Sequence, residues 1–298
     1  MSGSAQAIFA KEQSFLGSPV DSDSDGSPEY YDPGKGTRTQ DVELTNALQR
    51  IREGDSAEAV ESIATRLEGA LAVQFTMNST EWLDLVTNDG SGSSLVPGQM
   101  PSSRWFVGVD YINGTAEREL KGVIPLDYRI QYQEGETVTV SLTMAYADET
   151  YNTSLTPSNV QEGGDPFVFH GTSLTVDGVT QTKMQSATLS MQNIARLQRG
   201  AQRKAVDAVV AAPTAALDAE TIVSETDQLQ LAYGNANAPA TSGVSSVSGS
   251  FEISNGTTTT TWSLSQVKPD TYNWTDVLNR EADFTEPITY HVNGVSVA

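Results

Sequence analysis

Asp21, Asp23, Asp25, Glu29 and Asp32 stand at positions 1, 3, 5, 9 and 12 of a twelve-residue segment whose sixth residue is Gly26. Such spacing lets one loop turn several carboxylate oxygens toward a hard divalent cation, Ca²⁺ or Mg²⁺. Against it, Pro28 stands where such loops carry an apolar residue, Asp32 replaces the bidentate Glu, and neither flank has helical periodicity. A solvated acidic loop is therefore the simpler reading. A second cluster is basic: Arg196, Arg199, Arg203 and Lys204 fall within nine residues. It reads either as a solvated loop or as a contact with an acidic surface of a neighbouring subunit or with a passing nucleic-acid backbone.

Little else offers catalytic chemistry. The chain has no Cys, which removes thiolate nucleophiles, disulfides and cysteine-based metal sites. His170 and His291 sit among apolar residues at expected strand positions, with no nucleophile elbow around them. Neither a Walker loop nor a dinucleotide-binding glycine pattern follows a strand. No enzyme and no cofactor beyond the Ca²⁺ or Mg²⁺ option is expected.

Charge sets the chemical setting. Asp+Glu number 38 against 17 Lys+Arg in 298 residues, a formal net charge of −21. That excludes a grip on nucleic acid built from phosphate neutralisation. Self-repulsion of this size opposes close packing of subunits, and molar salt screens it to about 3 Å. Few Lys, abundant carboxylates and lean aliphatic content point to a salt-loaded cytoplasm. The first ten residues have no basic region and no long apolar stretch, so no export signal is expected. The run Val209–Ala216 is broken by Pro213 and is far short of the roughly 20 residues of a membrane span.

The elements that must position these groups are mostly strands. Ile124, Leu126, Tyr128, Ile130 and Tyr132 alternate into Gln133-Glu-Gly-Glu136, and Val138, Val140, Leu142, Met144 and Tyr146 alternate out of it, a long hairpin. Leu71–Met77, Trp105–Tyr111, Ala187–Met191 and Leu229–Tyr233 repeat the two-residue period. Asp177-Gly178, Asn255-Gly256 and Asn293-Gly294 are tight-turn pairs. One long helix is expected over Asp55–Gly69, with Asp55 capping and Val60, Ile63, Ala64 and Leu67 in one stripe, and a shorter one over Ser79–Val86. The expected organisation is an acidic Ser/Gly/Pro-rich arm or long loop over residues 1–40, then a β domain over 41–298 with a flexible excursion near 234–250. The fold class is mainly β: a β-sandwich or small barrel with long hairpins and one packed α-helix.

Over residues 166–233 the order of features resembles the tail tube proteins of tailed viruses. Pro166-Phe-Val-Phe-His-Gly-Thr-Ser-Leu-Thr-Val-Asp-Gly-Val, Gln185-Ser-Ala-Thr-Leu-Ser-Met-Gln-Asn193, the loop with Arg199-Gly200, and Asp227-Gln-Leu-Gln-Leu-Ala-Tyr carry the resemblance. Leu67-Glu-Gly-Ala-Leu-Ala-Val-Gln-Phe75 and the following Trp82 fit the front half of the pattern. With the acidic composition, the chain looks like the tail tube subunit of a virus of haloarchaea. The resemblance implies hexameric rings stacked into a hollow tube in the virion tail, other tail proteins as partners, transient passage of viral DNA, and no membrane span. The competing reading is a surface-exposed adhesive or decoration β-sandwich module, favoured by five Asn-x-Ser/Thr sequons beginning at Asn78, Asn113, Asn152, Asn255 and Asn273 and by the Thr-rich stretch Thr257–Thr261. Such a module would carry a secretion signal.

Overall fold

The computed structural model describes residues 5–52, 59–157, 159–279 and 281–298. In chain order the first half holds β1 (Ala5–Lys11), β2 (Tyr30–Tyr31), β3 (Lys35–Thr45), β4 (Leu48–Ile51), β5 (Glu61–Ala64), β6 (Glu68–Thr76), α1 (Leu83–Val86), β7 (Ser103–Tyr111), β8 (Gly114–Gln133), β9 (Thr139–Tyr146), β10 (Asp148–Asn152) and β11 (Val160–Gln161). The second half holds β12 (Thr172–Val176), β13 (Val179–Thr180), β14 (Met184–Gln192), β15 (Ala195–Arg199), β16 (Ala205–Val210), β17 (Thr214–Ile222), α2 (Asp227–Tyr233), β18 (Val247–Ser254), β19 (Thr259–Tyr272), β20 (Thr285–Val292) and β21 (Gly294–Val297). The protein is mainly β, as its alternation predicts. No helix among the described residues is long and apolar enough to cross a membrane.

Two long strands, β8 and β19, each serve two sheets. The main sheet runs β3-β6-β9-β8-β14-β17-β20-β19, all antiparallel, using the carboxyl halves of β8 and β19. The amino half of β8 pairs instead with β7 and β10, and β7 with β1. The amino half of β19 pairs with β18 and β21. Each changeover sits at a backbone irregularity: Gly122 at φ +61° and a register shift at Pro125 in β8, Gln266 at φ +51° in β19. An extra residue at such a bulge bends the strand, which lets it leave one sheet for another.

One face of the main sheet is the core. Leu71, Val73 and Phe75 of β6, Val140, Leu142, Met144 and Tyr146 of β9, and Tyr128 and Ile130 of β8 are buried on it. Trp82, beside α1, closes this layer with edge-on contacts to Phe75 and Tyr128, and the Ser79–Val86 expectation is met by one short turn of helix. The predicted hairpin at Gln133–Glu136 is present, with Gly135 at φ +81°.

Several expectations are corrected. Asp55 and Glu58 of the expected helix lie outside the described residues; from Glu61 onward the chain is extended, β5 pairing with β4 and Glu68 opening β6. The apolar stripe is not a buried helix face, since Val60 and Ile63 are exposed. β-Branched Ile63 suits the ladder with Gln49 instead. Leu229–Tyr233 is helical, not a strand: Asp227 occupies the first turn and Gly234, at φ +66°, ends it in the left-handed conformation. Asn293-Gly294 makes no hairpin, because β20 and β21 continue one another along β19. The excursion near 234–250 ends early, at β18. The segment read as an arm or long loop contains β1, paired along its whole length with β7 and burying Phe9 and Ala10.

Candidate assembly surfaces

The acidic loop precedes β2 and folds upon itself. Carboxylate oxygens of Asp21, Asp23 and Glu29 all lie within 4.8 Å of one another. Glu29 accepts from the Ser22 backbone N–H at 2.9 Å and the Ser22 hydroxyl at 2.8 Å, bonds that hold its carboxyl below the usual range. Asp25 and Asp32 do not join the group. Asp25 accepts from the Ser27 N–H at 2.7 Å, and Asp32 turns to the Gly34 N–H at 3.1 Å, its carboxyl pushed up by burial. The twelve-residue spacing is thus realised only in part: it brings together Asp21, Asp23 and Glu29.

The basic cluster lies on the β15–β16 hairpin, at the end of the main sheet where β14 stops and β17 begins. Arg199 donates to the Leu67 carbonyl at 2.9 Å and the Arg203 carbonyl at 3.1 Å, and Arg203 donates to Asn46 Oδ1 at 2.8 Å. Lys204 pairs with Asp148 at 2.7 Å. Among the described residues no carboxylate pairs with Arg196 or Arg203. Arg66, from the β5–β6 connection, joins Arg196, Arg199 and Arg203 around an open groove of about 850 Å³. Arg66 was not legible as a member because 130 residues separate it from Arg196. Arg199 therefore ties the β15–β16 hairpin to the β5–β6 connection, whereas Arg196 does not. Arg199→Ser should lower unfolding free energy by about 1–2 kcal/mol and Arg196→Ser by less than about 0.5 kcal/mol, read by denaturant titration.

The outer face of the main sheet is small and polar: Thr139, Ser141 and Thr143 of β9, Arg129 and Gln131 of β8, Thr188 and Ser190 of β14, and Asp218 and Glu220 of β17. Among the described residues its two outermost strands have one partner each: β3 pairs with β6, and residues Lys268–Tyr272 of β19 pair with β20. Such edges leave backbone donors and acceptors outside the ladder, and on β3 side chains already reach two of the carbonyls: Arg118 Nη1 donates to that of Val42 and Tyr146 Oη to that of Glu43. His170 lies in an exposed 3₁₀ turn, not the expected strand, and His291 is an exposed β20 residue 3.5 Å from Asp270.

Buried carboxylates serve the framework. Glu12 accepts from Ser102 Oγ at 2.6 Å and pairs with Arg104 at 3.4 Å; burial pushes its carboxyl up. Arg104 also holds Glu119 at 2.7 Å. Asn78, the first sequon residue, is buried and donates to the Gly164 carbonyl, so it does not offer a glycan acceptor on this fold.

What the arrangement offers is pairing surface: free sheet edges, a polar sheet face and projecting hairpins. No curated protein matches the chain. The family profile described as phage tail tube protein matches residues 44–286, which takes in six of the eight main-sheet strands whole and only the last residues of β3 and the first of β20. The chain belongs to the phage tail tube protein family, a structural family of the virion tail.

Proposed function

We propose that this protein is the tail tube subunit itself, six copies closing a ring and rings stacking into the conduit through which viral DNA leaves the particle. The observation that carries the reading is the open main sheet, six of whose eight strands lie whole inside the family-matched region, with one edge at β3, just ahead of that region, and the other at Lys268–Tyr272 within it. Edge-to-edge pairing of β3 with the β19 edge of the next copy would engage the backbone groups still free on both strands, and a ring leaves no edge over. The polar face then turns inward. Ser, Thr and Gln side chains, with Asp127, Asp218 and Glu220 outnumbering Arg129, present DNA with hydration and net like charge, which favours passage over adhesion.

The net charge of −21 supports a host with a salt-loaded cytoplasm, a haloarchaeon, where packing so many carboxylates into one ring is tolerable. Electron microscopy of the purified chain in molar salt tests the reading. Rings or tubes with a central channel are expected; compact monomers at every salt and protein concentration would overturn it.

A further inference from the structure

The strands of the main sheet end in two regions of opposite character. At one end the register gathers the β8–β9 turn with Glu134 and Glu136, the segment after β17 with Glu225 and Asp227, and the β19–β20 connection with Asp276, Glu281 and Asp283, all exposed. Lys35 and Lys183 are the described cations there, and Arg280 lies in the same connection, outside the described residues. At the other end stands the four-arginine groove. The acids near it are already engaged: Glu68 with Arg66 and Arg199, Asp148 with Lys204, Asp207 with Gln99.

Each end also has an apolar feature. The β19–β20 connection exposes Leu278 at 95 %, Val277 at 52 % and Trp274 at 44 %. This loop is braced: Trp274 packs edge-on against Phe284 with centroids 5.4 Å apart and donates to Tyr272 Oη at 2.6 Å, and Thr275 N–H donates to the Thr285 carbonyl at 3.0 Å. A loop fixed at its base loses less freedom on docking than an untethered one. Beside the arginine groove runs a second one of about 590 Å³, with Leu95, Val96, Pro97, Val209, Ala211 and Pro213 in its wall. Arg196 and Gln198 line both grooves, so an apolar slot and a basic slot share one ridge.

Resting on the tube-subunit reading, we propose that consecutive rings join through this pair of surfaces. Val277 and Leu278 of one copy seat in the Leu95–Pro213 slot of the copy in the next ring, and Asp276, Glu281 and Asp283 face its Arg66, Arg196 and Arg203. The nine residues of β17 separate the two surfaces by about 30 Å. A contact whose halves sit at opposite ends of one subunit is heterologous, and between coaxial rings it propagates as an open stack with every ring facing the same way.

The absence of cysteine makes a clean test available. Val96→Cys and Leu278→Cys in one chain are too far apart to bridge internally, since a disulfide needs Cα atoms within about 7 Å. Assembled in molar salt and treated with a thiol oxidant, that double variant should run as a ladder of dimers, trimers and higher species without reductant, and each single variant should give dimers at most. In parallel, Val277→Asp with Leu278→Asp should reduce tube length about tenfold or more while leaving single rings. Tubes of normal length from the aspartate variant, with no ladder from the cysteine pair, would overturn the head-to-tail contact and leave the tube reading standing. A wild-type chain that forms neither rings nor tubes would remove both.

Discussion

Trp82→Ala is expected to cost about 3–5 kcal/mol of unfolding free energy, enough to lower the melting temperature by on the order of 10 °C. Trp82 is fully buried, with its ring centroid 6.2 Å from Phe75 and 5.8 Å from Tyr128, both edge-on. It covers the inner face where β6 and β8 flank β9, so truncation opens a cavity lined by aromatic rings that the rigid ladders on either side cannot collapse. Trp82→Phe separates this cause from a polar one. Among the described residues the indole N–H of Trp82 has no hydrogen-bond partner. Phe removes that unsatisfied donor, whose burial costs about 1–3 kcal/mol, and keeps most of the ring contact. Trp82→Phe should therefore lose less than about 1.5 kcal/mol. Denaturant titrations of both variants at one fixed molar salt concentration read the difference. Equal losses would mean that ring volume is not what Trp82 supplies.

The contrast between the two halves of this core explains what was readable beforehand. The hairpin Ile124–Tyr146 was legible because ten apolar residues keep one period across a Glu-Gly turn; from Tyr128 onward both strands bury the same face, while the register shift at Pro125 sets Ile124 opposite Ala145. Asp55–Gly69 misled because Val60, Ile63, Ala64 and Leu67 fit a helical stripe as well as they fit an exposed hairpin and the start of β6; periodicity alone does not say whether a stripe finds a partner. β1 was missed since Ala-Gln-Ala-Ile-Phe-Ala has only two large apolar residues, and its place is dictated by β7, nearly a hundred residues on. Arg196, Arg199, Arg203 and Lys204 stood out in sequence. Arg66 and the gathering of Glu134, Glu225, Asp227 and Asp276 at one end did not, because only the register of β8, β14, β17 and β20 makes neighbours of them.

Lowering monovalent salt from molar to roughly 0.1 M is expected to dissolve assembled tubes, although the proposed ring-to-ring contact includes opposite charges that low salt would strengthen. The magnitudes decide the sign. Screening lengthens from about 3 Å to about 10 Å, so the −21 on every subunit begins to act across the width of an interface. Against this, the connection contributes three carboxylates to exposed pairs worth about 0.2–1 kcal/mol each. Repulsion among whole subunits outweighs that attraction. At molar salt the order reverses within the contact itself: ion pairs are screened, while burial of Val277 and Leu278 is undiminished. Asp276→Asn should then be nearly silent in molar salt, and Leu278→Asp should remain damaging. Sedimentation across a salt series, with sucrose replacing salt as an uncharged control, reads both effects. Tubes that stay intact at 0.1 M, or that sucrose preserves as well as salt does, would show that the carboxylate excess does not govern assembly.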